Sequence, residues 1–339
     1  MPLSRVTIAD VARTAGVSKT AVSFAFNYPE RLGQATLDRV LQVAEELGYT
    51  PHPLARALSL RRSGAIGLLI PQSLSAVFSN PFTSELIQGL GSVFAEHDLT
   101  LLLVPPLDGS LEEAVRQASV DGFISLGLAA DDPTLEALAR MGLPTVHVDS
   151  DPLSGAVVNV DDRGGAEAAA RHLVELGHRR LALIMLPGAR ARTGLTAVAS
   201  RRLAGYEAVL SEAGLEDPLQ LVAGATLEAG AEAFAQMRGQ ARQPTAVLAM
   251  SDMAAVGLMA AAQAAGRRVP EDLSIVGFDD LPMAAWTRPG LTTVRQPIAE
   301  KGRLAAQLVI SLLEGRRPAS PPPLQTSLVV RGSTGAPGR

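Results

Sequence analysis

Val6-Thr7-Ile8-Ala9-Asp10-Val11-Ala12-Arg13-Thr14-Ala15-Gly16-Val17-Ser18-Lys19-Thr20-Ala21-Val22-Ser23-Phe24-Ala25-Phe26-Asn27 contains two short helical patterns that meet at Gly16-Val17-Ser18. Thr7 precedes the first apolar turn as an N-cap, with Asp10 near the positive end of that helix. Ile8, Val11, Ala12 and Ala15 fall at i, i+3, i+4 and i+7 and form one apolar face. Gly16 permits the left-handed turn that ends the helix, and Ser18 caps the next one. Val22 with Ala25 or Phe26 gives the second helix a buried side, which leaves Lys19, Thr20, Ser23 and Phe24 facing outward. A helix pair of this kind presents its second member to the major groove of DNA. The other reading of these residues is an αα-hairpin inside a larger core.

Working outward, residues 36–48 read as a third amphipathic helix that closes a small bundle, and Tyr49-Thr50-Pro51-His52-Pro53 ends it. The segment Leu54-Ala55-Arg56-Ala57-Leu58-Ser59-Leu60 has helix-forming residues but is too short to be stable alone in water. After Arg61-Arg62-Ser63-Gly64 the composition changes. In order and spacing, the words T-I-x-D-V-A-x-x-A-G-V-S, V-S-x-x-x-N, L-G-Y-x-P and A-R-x-L before the basic pair resemble the headpiece and hinge of the lactose-repressor/galactose-repressor family of bacterial transcription regulators. The organisation expected is a headpiece over 1–50, a hinge over 51–64, a large core over 65–331 and a flexible Gly/Ser/Pro-rich tail over 332–339.

The chain of 339 residues has length for more than one core, and 47% hydrophobic with 19% charged residues is a globular composition. Cysteine is absent, which excludes disulfides and thiolate metal sites and suits a reducing cytosol. The N-terminus lacks the apolar stretch of a signal peptide, and no apolar run is long enough to span a bilayer. The net charge of −4 is unevenly distributed. Residues 1–62 carry eight basic side chains (Arg5, Arg13, Lys19, Arg31, Arg39, Arg56, Arg61, Arg62) against five acidic ones (Asp10, Glu30, Asp38, Glu45, Glu46), a balance of +3 that leaves −7 for the rest. A mildly basic head on an acidic body is consistent with DNA binding by one end.

From Ala65 onward, short apolar runs at 66–70, 101–104, 122–126 and 145–148 read as strands, alternating with helices at 82–97, 111–118 and 135–141. The pattern recurs with strands at 181–186, 246–250 and 273–278 and helices at 165–176, 201–213, 228–239 and 252–265. Continuous apolar strands alternating with helices imply two parallel sheets covered on both faces, with a cleft at the strand ends. The resemblance extends here through His172-Leu173-Val174-Glu175-Leu176-Gly177-His178-Arg179, Ser251-Asp252-Met253-Ala254-Ala255-Val256-Gly257, Ser274-Ile275-Val276-Gly277-Phe278-Asp279 and Leu291-Thr292-Thr293-Val294-Arg295-Gln296-Pro297. It covers essentially residues 6–331. It implies an all-α helix-turn-helix headpiece followed by an α/β, periplasmic-binding-protein-like core of two lobes, with crossovers near 159–162, 278–289 and 315–324. The family's tetramerisation heptads are missing, so the resemblance implies a homodimer.

Site residues follow from the resemblance. Lys19, Thr20 and Phe24 occupy positions that face base edges. Lys19 can donate to guanine, and Thr20 can hydrogen-bond or touch a thymine methyl. Phe24 offers only apolar contact, or else folds against the bundle. Thr7, Ser18, Ser23, Asn27 and His52 match phosphate-positioning groups. Ala55 and Leu58 lie in the hinge, where Leu58 matches a leucine that wedges into a central minor-groove step and kinks the duplex. In the cleft, Asp149, Arg202, Ser251, Asp252 and Asp279 are the candidate effector readers, with Phe78, Trp286 and Phe82 as apolar faces for a ring. A guanidinium such as Arg202 suits vicinal oxygens, and Asp279 can accept from two hydroxyls. Ser251 stands where the family usually has Asn and has a shorter reach.

Phosphate-loop, nucleophile-elbow and zinc-protease motifs are absent, and His52, His97, His147, His172 and His178 lack ligand spacing. Asp161-Asp162 precedes a helix, where negative charge is favourable without any metal. No catalytic residue, metal or cofactor is expected. The sequence thus reads as a cytoplasmic, dimeric repressor of a carbohydrate-use operon. It would bind a near-palindromic double-stranded operator under control of a small-molecule effector, a sugar or sugar derivative. The rival reading is a solute-binding protein or α/β enzyme with an incidental helical head.

Overall fold

A computed structural model describes residues 6–51, 62–151, 155–187, 197–215 and 217–338. His52, Ala55 and Leu58 of the expected hinge lie outside the described residues. The chain divides into two compact units, residues 1–65 and 66–339.

In the first unit, α1 (Ile8–Ala15), α2 (Lys19–Asn27) and α3 (Gln34–Leu47) form a bundle, with a short 3-10 turn at Pro29–Arg31. Asp10 closes the start of α1 by accepting from the Thr7 amide (3.1 Å) and hydroxyl (2.7 Å). Gly16 ends α1 at φ 66°, which a side chain would strain, and Ser18 Oγ accepts from the Ala21 amide at 3.0 Å to start α2. Val11, Ala12, Ala15, Val22, Ala25, Val40 and Ala44 are the buried core, with Phe26, Leu37, Leu47 and Tyr49 packed on it. The small apolar residues at helical spacing are therefore the ones that let three short helices approach closely.

The second unit has two lobes. The first carries β1 (Ala65–Leu69), α4 (Leu74–Ser79), α5 (Pro81–Glu96), β2 (Thr100–Val104), α6 (Leu111–Gln117), β3 (Gly122–Leu126), α7 (Pro133–Met141), β4 (Thr145–Val148) and β5 (Ala156–Val158), in a sheet ordered β2-β1-β3-β4-β5. The second carries α8 (Asp162–Glu175), β6 (Leu181–Met185), α9 (Ala197–Glu212), β7 (Leu219–Val222), α10 (Leu227–Arg238), β8 (Ala246–Ala249), α11 (Asp252–Ala264), β9 (Ser274–Asp279), α12 (Pro282–Trp286) and β10 (Thr292–Arg295). Its sheet is ordered β11-β10-β9-β8-β6-β7, where β11 (Ser327–Val329) is an antiparallel edge on an otherwise parallel sheet. Along β6 the side chains alternate between two cores. Leu181, Leu183 and Met185 pack on the α8–α9 side, and Ala182 and Ile184 pack on the α10–α11 side. A strand covered on both faces therefore reads as a continuous apolar run.

Three crossovers join the lobes, and one lies elsewhere than the sequence suggests. The first runs from β5 to α8, as expected. The segment 278–289 does not cross, because β10 returns beside β9 in parallel register (Thr292↔Val276 to Arg295↔Asp279) and keeps the chain in the second lobe. The crossing occurs instead at Gln296-Pro297, after which α13 (Ile298–Leu313) joins the first lobe's core through Ile298, Ala305, Ala306 and Val309. That packing is close: a Cβ on Gly89 of α5 would stand 2.1 Å from the Ala299 carbonyl oxygen, and one on Gly302 would stand 2.4 Å from that of Leu86. The third crossover pairs with the first, as the Leu324 amide donates to Asn159 O (2.9 Å) and the Asp161 amide to Leu324 O (2.8 Å).

The expected flexible tail is a further correction. Ser333 is fully buried, with Oγ accepting from the Thr292 amide (2.8 Å) and donating to Ile275 O (2.6 Å). The Gly335 amide donates to Ser274 Oγ (3.0 Å), and the Gly335 carbonyl lies 2.9 Å from His178 Nε2. Polar composition suggests fraying, but here small polar residues supply the hydrogen bonds that β9 and β10 would otherwise lack.

Candidate functional site

In the first unit, Ser18, Lys19 and Thr20 are exposed on and around the first turn of α2. Ser23 is half-buried and accepts from Asn27 Nδ2 at 3.3 Å, so these two side chains face one another along the helix. The Thr7 hydroxyl donates to Asp10, so in this arrangement it has no proton left for a phosphate. Hydrogen bonds from the Thr7 hydroxyl and amide hold the Asp10 carboxyl below its usual range. Phe24 is half-buried, edge-on to Tyr28 at 5.9 Å between ring centroids. The Arg31 guanidinium lies 4.7 Å from the Tyr28 ring and 5.6 Å from that of Phe24. Phe24 thus belongs to an aromatic pair that carries a cation at the far end of α2. The sequence marks Arg31 only as one of the basic side chains of the head; its place beside Tyr28 and Phe24 emerges from the fold.

In the second unit, the polar groups gather where strands end. Asp149 follows β4 at φ 54°, and Asp279 and Asp280 end and follow β9 at φ 125° and 58°. Aspartates held in left-handed backbone conformations at strand ends mark these loops as places where geometry is kept despite strain. Arg202, on α9, is buried. Its Nε donates to Asp162 Oδ1 (2.9 Å), and its Nη1 donates to Met250 O (2.5 Å) and lies 3.8 Å from Asp279 Oδ1. Its guanidinium carbon stacks 3.6 Å from the Phe278 ring centroid. Burial works against its charge, but Asp162 and Asp279 outweigh burial and hold the guanidinium firmly protonated.

Asp279 accepts from Gln296 Nε2 at 2.6 Å. Burial pushes its carboxyl up to about 6, against the pull of Arg202, Gln296 and Lys301. Gln296 Oε1 in turn accepts from Lys301 Nζ (2.7 Å), whose ammonium also donates to both Asp149 oxygens (2.7 and 2.9 Å). Lys301 is fully buried and 5.2 Å from the Phe82 ring. A continuous polar chain, Asp149–Lys301–Gln296–Asp279–Arg202–Asp162, therefore crosses from one lobe to the other.

The structure brings Asp149, Arg202 and Asp279 into this chain. It sets Asp252 beneath it: that carboxylate is fully buried and accepts from the Leu281 amide (2.8 Å) and Thr293 Oγ1 (2.5 Å). Burial, reinforced by Asp279, raises it to about 7. Asp252 thus holds the loop after β9 in place and is not open to a ligand. Ser251 caps α11, accepting from the Ala254 amide at 3.4 Å. Phe78 and Trp286 are 68% and 75% exposed and stand outside the chain, so of the three aromatic candidates named from the sequence Phe82 is the one beside it, and Phe278 on Arg202 is a further aromatic there. The sequence reading missed Lys301, Gln296, Arg201 and Asp162. Asp161-Asp162 is the helix start that the sequence suggests: Asp161 is the N-cap, accepting from the Gly164 amide at 2.9 Å, and Asp162 opens the first turn, but its carboxylate also accepts from Arg201 and Arg202.

Among the described residues, no group of three or more His, Asp or Glu side chains could hold a metal ion, and no helix is long and apolar enough to cross a membrane. Surface concavities of about 1040 and 830 Å³ lie away from the polar chain, lined in part by Arg179, Asp217 and Arg242 and by His147 and Leu312.

Residues 7–52 match the bacterial regulatory proteins, lacI family, and residues 170–334 match a periplasmic binding protein-like domain. The HTH-type transcriptional regulator CelR of Thermobifida fusca is 32% identical, over 97% of this chain and 98% of its own. A solved transcriptional regulator CelR–cellobiose complex is similar with a TM-score of 0.72 and 31% identity, covering 97% of this chain and 100% of the other. The lac repressor dimer bound to operator and the anti-inducer ONPF is similar with a TM-score of 0.83 and 27% identity, over 98% and 100% of the two chains. The headpiece and the two-lobed core thus match over nearly their whole length in one polypeptide, and the chain belongs to the lacI family of bacterial regulatory proteins.

Proposed function

We propose that this chain is a cytoplasmic, homodimeric transcriptional repressor that binds a near-palindromic operator and responds to a sugar or sugar derivative held between its lobes. The observation that carries this reading is the convergence of Arg202 and Asp279, 3.8 Å apart at the strand ends of the second lobe, in a chain whose other unit exposes Lys19 and Thr20 on a recognition helix. A guanidinium and a carboxylate side by side offer donors and acceptors to vicinal hydroxyls. The similar CelR structure holds cellobiose, which supports a saccharide here.

In this reading Lys19, Thr20 and Phe24 approach base edges, while Ser18, Ser23, Asn27 and His52 approach phosphates. Ala55 contacts DNA and Leu58 wedges into a central minor-groove step. Ligand binding changes lobe closure and thereby the separation of the paired hinges across the dimer. The test is a gel shift of the full chain on DNA upstream of its own gene, with and without a panel of mono- and disaccharides. Specific retardation altered by one saccharide is the expected result. A chain that binds a saccharide but no DNA would be a solute-binding protein instead.

A further inference from the structure

Arg201 is adjacent to Arg202 on α9 but directs its guanidinium to different partners. Its Nε and Nη2 donate to Asp162 Oδ2 (3.1 and 2.9 Å), and its Nη1 donates to both oxygens of Asp151 (2.8 and 2.9 Å). Asp162 begins α8 in the second lobe, whereas Asp151 follows β4 in the first. Asn159, in the first crossover, steadies the Asp151 loop. Its Nδ2 donates to Ser150 O (3.0 Å) and Asp151 Oδ1 (3.3 Å), and its Oδ1 accepts from the Ser150 amide (3.1 Å). A single side chain therefore ties the two lobes together beside the segment about which they would move.

The same carboxylate also serves Arg202, since Asp162 gives Oδ1 to Arg202 and Oδ2 to Arg201. Asp162 is fully buried, so neither arginine can shift without changing what the other holds. We infer that Arg201 is an inter-lobe clasp that holds the two lobes in this arrangement and positions Arg202 through Asp162. A forked guanidinium that engages two carboxylates, one of them buried, is stronger than a solvated surface pair and has a defined direction. The positioning role rests on Arg202 being the effector reader proposed above. The clasp itself does not.

The clasp is tested on the full chain without DNA or sugar, by hydrogen exchange at the paired crossover amides of Asp161 and Leu324. These amides bond across the two crossovers, and neither belongs to Arg201 or Asp151. Asp151→Asn and Arg201→Met should each lower their protection about tenfold, and the double variant should lower it no further, as partners in one interaction behave. High salt should lower the same protection in the wild type but not in Asp151→Asn, because the Asp151 side chain is 55% exposed and open to screening. A general loss of packing would not show that salt response. Unchanged protection at Asp161 and Leu324 in Asp151→Asn, or losses that add in the double variant, overturns the proposal. Should Arg201→Met fail to fold, the half-exposed Asp151→Asn variant and its salt series decide the question alone. Failure here leaves the DNA and sugar reading standing, since neither ligand takes part.

Discussion

The Lys301 ammonium sits 2.7 and 2.9 Å from the two oxygens of Asp149, with both groups buried and 152 residues apart in sequence. An ion pair out of water is tolerated only while both members are present, because the survivor of a broken pair is an uncompensated buried charge. Lys301→Met should therefore lower the unfolding free energy by about 3–5 kcal/mol, read from urea midpoints. Adding Asp149→Asn to that variant should restore part of the loss. If the two losses add, the groups are not energetically paired.

Buried carboxylates in the second lobe set a pH dependence of known sign. Burial raises Asp279 to about 6 from 3.8, so between those values the folded chain keeps a proton that the unfolded chain has released. The stability attached to this group is present below the lower value and is lost as pH rises through about 6. Asp252, raised to about 7, acts in the same direction, His147 pulls the other way, since burial lowers it to about 4, and the wild-type profile alone mixes these effects. The difference between Asp279→Asn and wild type reports the loss of this carboxyl together with its upward push on Asp252, and both changes have the same sign. It should shift in favour of the variant by up to about 1.4 kcal/mol per pH unit across that window and then level off. A difference that is flat with pH would mean that Asp279 stays ionised throughout.

Ser333 gives the C-terminal segment a structural role that can be measured. Its hydroxyl links the Thr292 amide to the Ile275 carbonyl in a site closed to water. Ser333→Ala leaves both partners unmet and should destabilise the core by about 1–3 kcal/mol. Deleting residues 332–339 should cost at least as much. A truncated chain with an unchanged midpoint would show that the segment is dispensable.

The headpiece and most of the α/β alternation were legible because they are periodic. Val11, Ala12 and Ala15 repeat at helical spacing, and the strands run apolar because both faces of each sheet are covered. What was not legible depends on partners distant in sequence. The helix Ile298–Leu313 was missed because its buried face carries Lys301 and Gly302 among the apolar residues, which breaks the pattern. Only the fold shows that the lysine meets Asp149 and the glycine meets α5. Likewise the motif around Arg202 singles it out as a candidate, but not its partner. That partner, Asp162, is 40 positions away and looked like an ordinary helix start. The second crossover was misplaced because Pro and Gly near 289 mark a loop equally well whether or not the chain changes lobe.

Arg31 offers a test of how α2 meets DNA that requires no knowledge of the operator. Its guanidinium is exposed and held against the rings of Tyr28 and Phe24, which restricts its motion without neutralising it. Arg13 is the contrast, since its guanidinium lies 2.5 Å from Asp10 and already has an anion. On duplex DNA of random sequence, binding falls with salt in proportion to the number of phosphates neutralised, by about 0.9 in the log–log slope for each. Arg31→Ala should therefore flatten that slope by about one phosphate's worth, while Arg13→Ala should leave it nearly unchanged. Phe24→Leu removes a ring but no charge. It should keep the slope and weaken binding modestly, because the cation must then be ordered at the moment of contact. Equal slopes for wild type and Arg31→Ala would confine the Arg31–Tyr28–Phe24 cluster to the packing of the headpiece, and a flattened slope in Arg13→Ala would mean that DNA displaces Asp10 from its cap.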